Sequence, residues 1–378
     1  MNEAAGSRSE GRDERRAGFS VHAIRLAWIL ALAYLLVVVY ASLKPFGGWR
    51  MPPDEILHFL TAPWPRYITF EDIAVNVAAY VPLGFLLSAG LSARYGAAPG
   101  ALAAALAATG VSLAMEAMQM FLPSRIASNV DLLTNSCGGL IGAMAAPLFA
   151  PTRLVGRRLY AWRHRLFRSG MAADAGFVIV CLWLLAQMNP VAHLFGTGEV
   201  RSVFELPVYF VHTPQRILST EAAVVFLNLV ALGLILTALM RPAARRMPVI
   251  AVVVGAGAAL KAAAAVFAKA AHPLVWLTPG VSFGLVGGWL AIYALARLPG
   301  RARLAVAALC IVAATAAINL APDNPYQNIP LRLIAGGASH YLSFSGIVRA
   351  LSELWPLLAI LYLGFALTEP RREEPLKR

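Results

Sequence analysis

Residues 71–121, EDIAVNVAAYVPLGFLLSAGLSARYGAAPGALAAALAATGVSLAMEAMQMF, hold two apolar runs, 71–92 and 98–121, joined by the short basic turn ARYG. A helix crosses a hydrocarbon core in about 20 residues, and each run has that length. So short a connection favours two spans packed side by side. Asn76, Glu116 and Gln119, amide or acidic side chains inside these runs, therefore need a physical account.

Reading outward from this pair gives ten runs of spanning length: 22–43, 71–92, 98–121, 129–149, 172–195, 219–240, 247–270, 273–297, 302–320 and 346–367. The composition agrees, since 59% of the 378 residues are hydrophobic and 13% are charged. A soluble domain carries about 25% charged residues. The fold class is therefore all-α, a polytopic membrane protein of about ten helices. The net charge of +13 is divided among short clusters between the apolar runs. That pattern suits lipid headgroups and topology signals, and it argues against a nucleic-acid surface. The basic connections RDERR, ARYG, TRLVGRRLYAWRHRLFR, RPAARR, RLPGRAR and EPRREEPLKR alternate with segments richer in aromatic and acidic residues. By the positive-inside rule the basic set is cytoplasmic, which puts both termini inside. The polar stretch 1–21 reads as a disordered tail, and DEILHFL (54–60) as a short interfacial helix.

The runs also suggest a parallel repeat. CGGLIGAMAA (137–146) resembles SFGLVGGWLA (282–291), and NVAAYVPLGFLLSAGL (76–91) resembles NLVALGLILTAL (228–239). This divides the chain into a tail (1–21), a first membrane domain (22–150), a basic loop (151–171), a degenerate second repeat (172–297), a C-terminal helix pair (298–367) and a second tail (368–378). Aligned on the GLIG and GLVG segments, Glu116 falls opposite Lys261 and Asp131 opposite Trp276.

The polar residues of the first domain share one depth. Asp72 and Asn76 stand i, i+4 at the outer start of run 71–92, and Asp131 and Asn135 repeat the spacing at the outer start of 129–149. Glu116 and Gln119 lie near the outer end of 98–121, and Arg50, Arg66 and Arg125 sit in the flanking loops. Two explanations compete. TFED and SNVD are capping boxes, which account for Asp72 and Asp131 as helix starts. Glu116 belongs to no cap, and a carboxylate inside a span costs at least about 2.5 kcal/mol, so it marks a functional site or a structural ion pair with Arg125. His212 and Arg216 in one loop, and His340, Asp323 and Glu353 near the outer side, show no triad or zinc spacing. The three cysteines stand far apart, and no Gly-rich phosphate loop occurs, so neither metal, cofactor nor ATP is expected.

The pattern D-x-x-x-N-x-x-x-Y-x-P-L-G-F, carried by Asp72, Asn76, Tyr80, Pro82 and Gly84, resembles the VanZ-like family. So does E-x-x-Q-x-F-x-P-x-R-x-x-S-x-x-D-x-x-x-N-x-x-G, carried by Glu116, Gln119, Phe121, Pro123, Arg125, Ser128, Asp131, Asn135 and Gly138. The resemblance covers about 22–150. It implies a bacterial inner-membrane protein, and through the family's namesake a link to low-level resistance to the glycopeptide teicoplanin. The residues then read as an outward pocket for an amphiphilic envelope molecule, a lipid-linked glycan or glycopeptide. Arg125 would hold its anionic group, Asp72, Asn76, Gln119, Asp131 and Asn135 would bind it, and Glu116 is the candidate acid or base. A transporter with a site between repeats is the alternative, resting on Lys261 and Lys269. A non-catalytic structural protein is the third reading. Membrane lipids are the expected partners, and no oligomeric state follows from the sequence.

The topology makes a direct prediction. Reporter fusions at Gly156, Arg245 and Arg301 should read cytoplasmic and fusions at Gly47 and Asp323 periplasmic, and a periplasmic reading at Arg245 would overturn the orientation.

Overall fold

The computed structural model describes residues 24–43, 46–52, 55–66, 68–150, 153–190, 192–201, 213–242, 244–267, 272–320 and 342–368, without the side chains of 71, 267 and 342–347. The two tails and the segment holding Asp323 and His340 lie outside these residues, as does His212. Among the described residues there are eleven helices: α1 (Ile24–Leu43), α2 (Phe70–Tyr95), α3 (Ala97–Gln119), α4 (Asn129–Ala145), α5 (Leu154–Leu166), α6 (Met171–Ala186), α7 (Pro214–Leu239), α8 (Arg246–Phe267), α9 (Pro279–Leu295), α10 (Gly300–Leu320) and α11 (Leu342–Thr368). Eight helices are long and apolar enough to cross a membrane, while the apolar helices α6 and α9 are shorter, at 16 and 17 residues. The all-helical, multi-pass architecture read from the sequence is the observed one.

Two compact units are present. One holds the chain up to Arg163 and the start of α11 to Ile347, and the other runs from His164 through α10 and takes in α11 from Val348.

In the first unit, α2 packs on both α3 and α4. The start of α2 is set locally. Thr69 accepts from the amide of Asp72, whose carboxylate accepts from the amide of Thr69, a complete capping box. One residue, Gly96, ends α2 and starts α3, with φ at +89°, a conformation that only glycine adopts without strain. The α2–α4 contact is a backbone contact. A Cβ on Gly138 or Gly142 would run into the carbonyls of Val77 or Val81, and one on Gly84 would run into the backbone of Gly139. Because four residues along α4 match four residues along α2 in the same sense, these helices run parallel. The hydroxyl of Ser88 donates across the gap to the Ala143 carbonyl at 2.8 Å. The stretch 129–149 is helical throughout, as α4 continues into a 3-10 turn, Ala146–Phe149. The expected interfacial helix at 54–60 is only a 3-10 turn, His58–Leu60. Prolines at 52, 53 and 63 leave too few residues there to nucleate an α-helix.

In the second unit α7 is the central helix, with most residues from Val224 to Leu239 buried. It packs on α6, α8, α9 and α10, as a helix apolar on all sides must. Glycines again bring a parallel partner close, because a Cβ on Gly280 or Gly284 would meet the carbonyls of Leu218 or Ala222. Helix α6 stops nine residues short of the expected end of its run at 195. There the amide of Gln187 donates back to the Trp183 carbonyl, while its oxygen accepts from the Phe195 amide and closes a compact turn. Helix α9 likewise starts at Pro279 and not near 273, with Thr278 as its cap and proline at its first position.

These contacts predict opposite outcomes for two glycine-to-alanine changes. Gly142→Ala forces α2 and α4 apart and should cost about 1–3 kcal/mol. Gly110, which has nothing within 4 Å of an added Cβ, should accept alanine with unchanged or higher stability. Thermal unfolding of the detergent-solubilised protein distinguishes the two.

Candidate functional site

The site forms where the C-terminal ends of α1 and α3 meet the N-terminal ends of α2 and α4. Glu116 lies in the last turn of α3 and is only 3% exposed. Its Oε2 accepts from the Ser128 amide at 2.8 Å. Ser128 is the N-cap of α4, and its side chain accepts from the amides of Val130 and Asp131. In the capping box of α2 the carboxylate three residues on serves the N-cap amide. At α4 a carboxylate from another helix does so, and Asp131 instead accepts from the Asn76 amide at 2.8 Å. The N-cap amide that the SNVD capping box assigns to Asp131 is thus bonded to Glu116.

The remaining polar groups extend this arrangement. Asn135 donates to the Ser112 hydroxyl at 3.0 Å, and Ser112 in turn shares a hydrogen bond with the buried Tyr80. Ser112 precedes Glu116 by four residues and so lies on the same face of α3. Arg125 donates to the Ala41 carbonyl at 2.8 Å and Gln119 to the Ser42 carbonyl at 3.1 Å, both in the last turn of α1. Arg125 and Glu116 are close enough for their charges to interact. Burial pushes the Arg125 guanidinium below its ordinary value and Glu116 opposes that shift, yet an arginine stays charged throughout. Asn129 donates to the Ala62 carbonyl at 2.7 Å, which ties the loop with buried Phe59 to the start of α4.

Several electrostatic terms favour the charged form of Glu116. The N-terminus of α4 carries partial positive charge, worth up to about 2 kcal/mol when partly buried. A hydrogen bond to a charged group adds about 1.5–3 kcal/mol. With Arg125 nearby, these terms reduce the cost of burying Glu116, to which the neighbouring Asp131 adds.

Of the residues expected to converge, Asn76, Glu116, Arg125 and Asp131 do so, Asn135 lies one layer deeper, and Gln119 lies on the α1 side. Asp72 is engaged at its own helix start, where Oδ2 accepts from the amide and hydroxyl of Thr69. Arg50 meets this end through its backbone amide, which donates to the Phe121 carbonyl at 3.0 Å. Ser112 and Asn129 were not singled out from the sequence, although the spacing of Ser112 to Glu116 was available.

Residues 23–150 match the VanZ/LLP1 family model. The first membrane domain is VanZ-like. The VanZ-like region ends with the 3-10 turn after α4, so α5 and all that follows lie beyond it. No curated protein and no solved structure matches the chain. The chain is a multi-pass membrane protein with a VanZ-like domain in its first third.

Outside the VanZ-like domain, the second unit holds a related arrangement, of which the sequence pointed only to Lys261. Glu221 in α7 is 4% exposed, and its Oε2 accepts from the hydroxyl of Thr278, the N-cap of α9, at 2.6 Å. His193 Nδ1 lies 3.8 Å from its other oxygen. Lys261, fully buried in α8, donates to the carbonyls of Asn189 and Ala192 in the turn after α6. Glu221 is the sole acidic residue of run 219–240, the same signal that marked Glu116. Glu353, also read from the sequence, pairs with Arg349 at 2.8 Å.

The division of labour between the two aspartates is testable. Asp72→Ala removes only a cap and should cost about 1 kcal/mol. Asp131→Ala removes the acceptor of a buried amide and should cost about 1–3 kcal/mol. The Asn76→Ala and Asp131→Ala losses should be non-additive in unfolding measurements, and additive losses would show that the pair does not act together.

Proposed function

We propose that the VanZ-like domain binds or processes an amphiphilic envelope molecule, a lipid-linked glycan or glycopeptide, at an outward-facing polar site. The observation that carries this reading is Glu116, a buried carboxylate anchored through one oxygen to the α4 N-cap amide beside a half-buried arginine. Arg125 holds a phosphate or carboxylate of the ligand by charge-assisted hydrogen bonds. The amides of Asn76, Gln119 and Asn135, with Asp131, engage its polar groups, and Glu116 accepts or delivers a proton where there is turnover. In this reading the protein sits in a bacterial inner membrane with both termini in the cytoplasm, so that this helix end meets the periplasm. The arginine-rich connections on the opposite side support that orientation.

The network that supports a site also links α1, α3 and α4, so a purely structural role is the competing reading. Replacing Glu116 by Gln keeps an acceptor for the Ser128 amide and removes the charge. In a deletion strain complemented with the variant, folded protein should stay at the wild-type level while protection against glycopeptides and other envelope-directed antibiotics is lost. The double change Glu116→Leu with Arg125→Leu distinguishes the readings. An ion pair that serves only structure tolerates apolar replacement, so retained stability with retained protection would sink the site.

A further inference from the structure

Helix α5 follows the VanZ-like domain and is unlike the other helices among the described residues. It has 13 residues, LVGRRLYAWRHRL, too few and too charged to span a bilayer. Six arginines fall between 153 and 168, and no Asp or Glu occurs between Asp131 and Asp174. The helix has three sides. Gly156 is buried, and a Cβ there would strike the carbonyls of Phe149 and Ala150, so this side turns onto the end of the 3-10 turn after α4. Val155, Leu159 and Trp162, at i, i+4 and i+7, form a second edge, each about half exposed. Arg157, Arg158 and Arg165 form an exposed third edge.

An apolar edge of this size facing water would be unfavourable, by about 25 cal/mol for each Å². The chain supplies what covers it. Helix α4 ends shortly before α5, and apolar α6 begins five residues after it, so α5 joins two apolar helices by short links. A short helix with an apolar edge and an arginine-rich edge lies in the plane of a membrane interface. We infer that α5 docks on the bilayer surface, with Val155, Leu159 and Trp162 in the acyl boundary and Arg157, Arg158 and Arg165 on the phosphates of anionic phospholipids. The charge argument selects anionic lipid as the occupant, because each arginine near such a surface adds attraction and no acidic side chain in the segment opposes it.

The test uses the full chain in nanodiscs of phosphatidylcholine and phosphatidylglycerol. In a background of Cys137→Ala, Cys181→Ala and Cys310→Ala, single cysteines at position 159 or 157 carry a fluorophore. The probe at 159 should be quenched by brominated lipid and shielded from iodide, and the probe at 157 should show the reverse. At equal mole fraction, brominated phosphatidylglycerol should quench the 159 probe about twofold more than brominated phosphatidylcholine. Arg157→Gln, Arg158→Gln and Arg165→Gln together should remove that preference. Quenching by iodide at 159 would put the helix in water. Protection from both quenchers would mean that protein, another segment or a second copy, covers the edge. Equal quenching by the two lipids would remove the anionic selectivity, and each of these results overturns the proposal. Native mass spectrometry of the unlabelled protein offers a measurement that needs no cysteine changes. Retained phosphatidylglycerol should fall in the triple glutamine variant, and unchanged retention would count against the inference.

Discussion

Inside an apolar bundle every polar group has to be satisfied by the protein, because lipid offers no hydrogen bonds. The bond from the Ser128 amide to Glu116 meets this requirement for two groups together. The first amides of a helix lack intrahelical acceptors, and a buried carboxylate lacks water. Joining them fixes the end of α3 against the start of α4. It also releases Asp131 to reach Asn76 on α2, so three helices are tied at one level. Much of the geometry of the VanZ-like domain at this end follows from that exchange of partners.

Glycine makes the exchange reachable. The bond between α2 and α4 needs their backbones to approach within a distance that any side chain at Gly138 or Gly142 would prevent. The second unit combines the same elements, a parallel pair brought close by Gly280 and Gly284 and a buried glutamate at the N-cap of α9. The glutamate there comes from α7, the helix in glycine contact, whereas in the first unit it comes from α3. A carboxylate at an N-cap satisfies the same electrostatics whichever helix delivers it. The two units deliver this carboxylate from different helices, which is why an alignment on the glycine segments places Lys261, not an acid, opposite Glu116.

Two buried cations of the second unit follow the same rule of internal satisfaction. Arg201 donates to the carbonyls of Ile318 and Asn319 at the end of α10, and Lys261 to carbonyls after α6. Cations at helix C-termini answer carbonyls that have no intrahelical partner. Large apolar side chains such as Leu102, Leu106, Phe283 and Leu290 remain exposed on the helix sides, which in a bilayer is the favourable place for them.

The amino-acid sequence by itself determined the class of molecule, because the length of each apolar run and the clustering of charge are local properties set against the thickness of a bilayer. It determined the start of α2 through Thr69 and Asp72, and the depth of Glu116, Asn76 and Asp131 through helical spacing. It marked Glu116 as costly without naming what answers the cost. Only the tertiary structure decided that Glu116 caps α4, that Asp131 serves Asn76 while Asp72 stays at its own helix start, and that Arg125 and Gln119 reach the last carbonyls of α1. It also decided that α6 and α9 are shorter than their apolar runs, because side chains distant in sequence close the turns at their ends. The two capping-box motifs, TFED and SNVD, look alike as strings. Which carboxylate fills each depends on the neighbouring helix that packing delivers, and no local pattern encodes that neighbour.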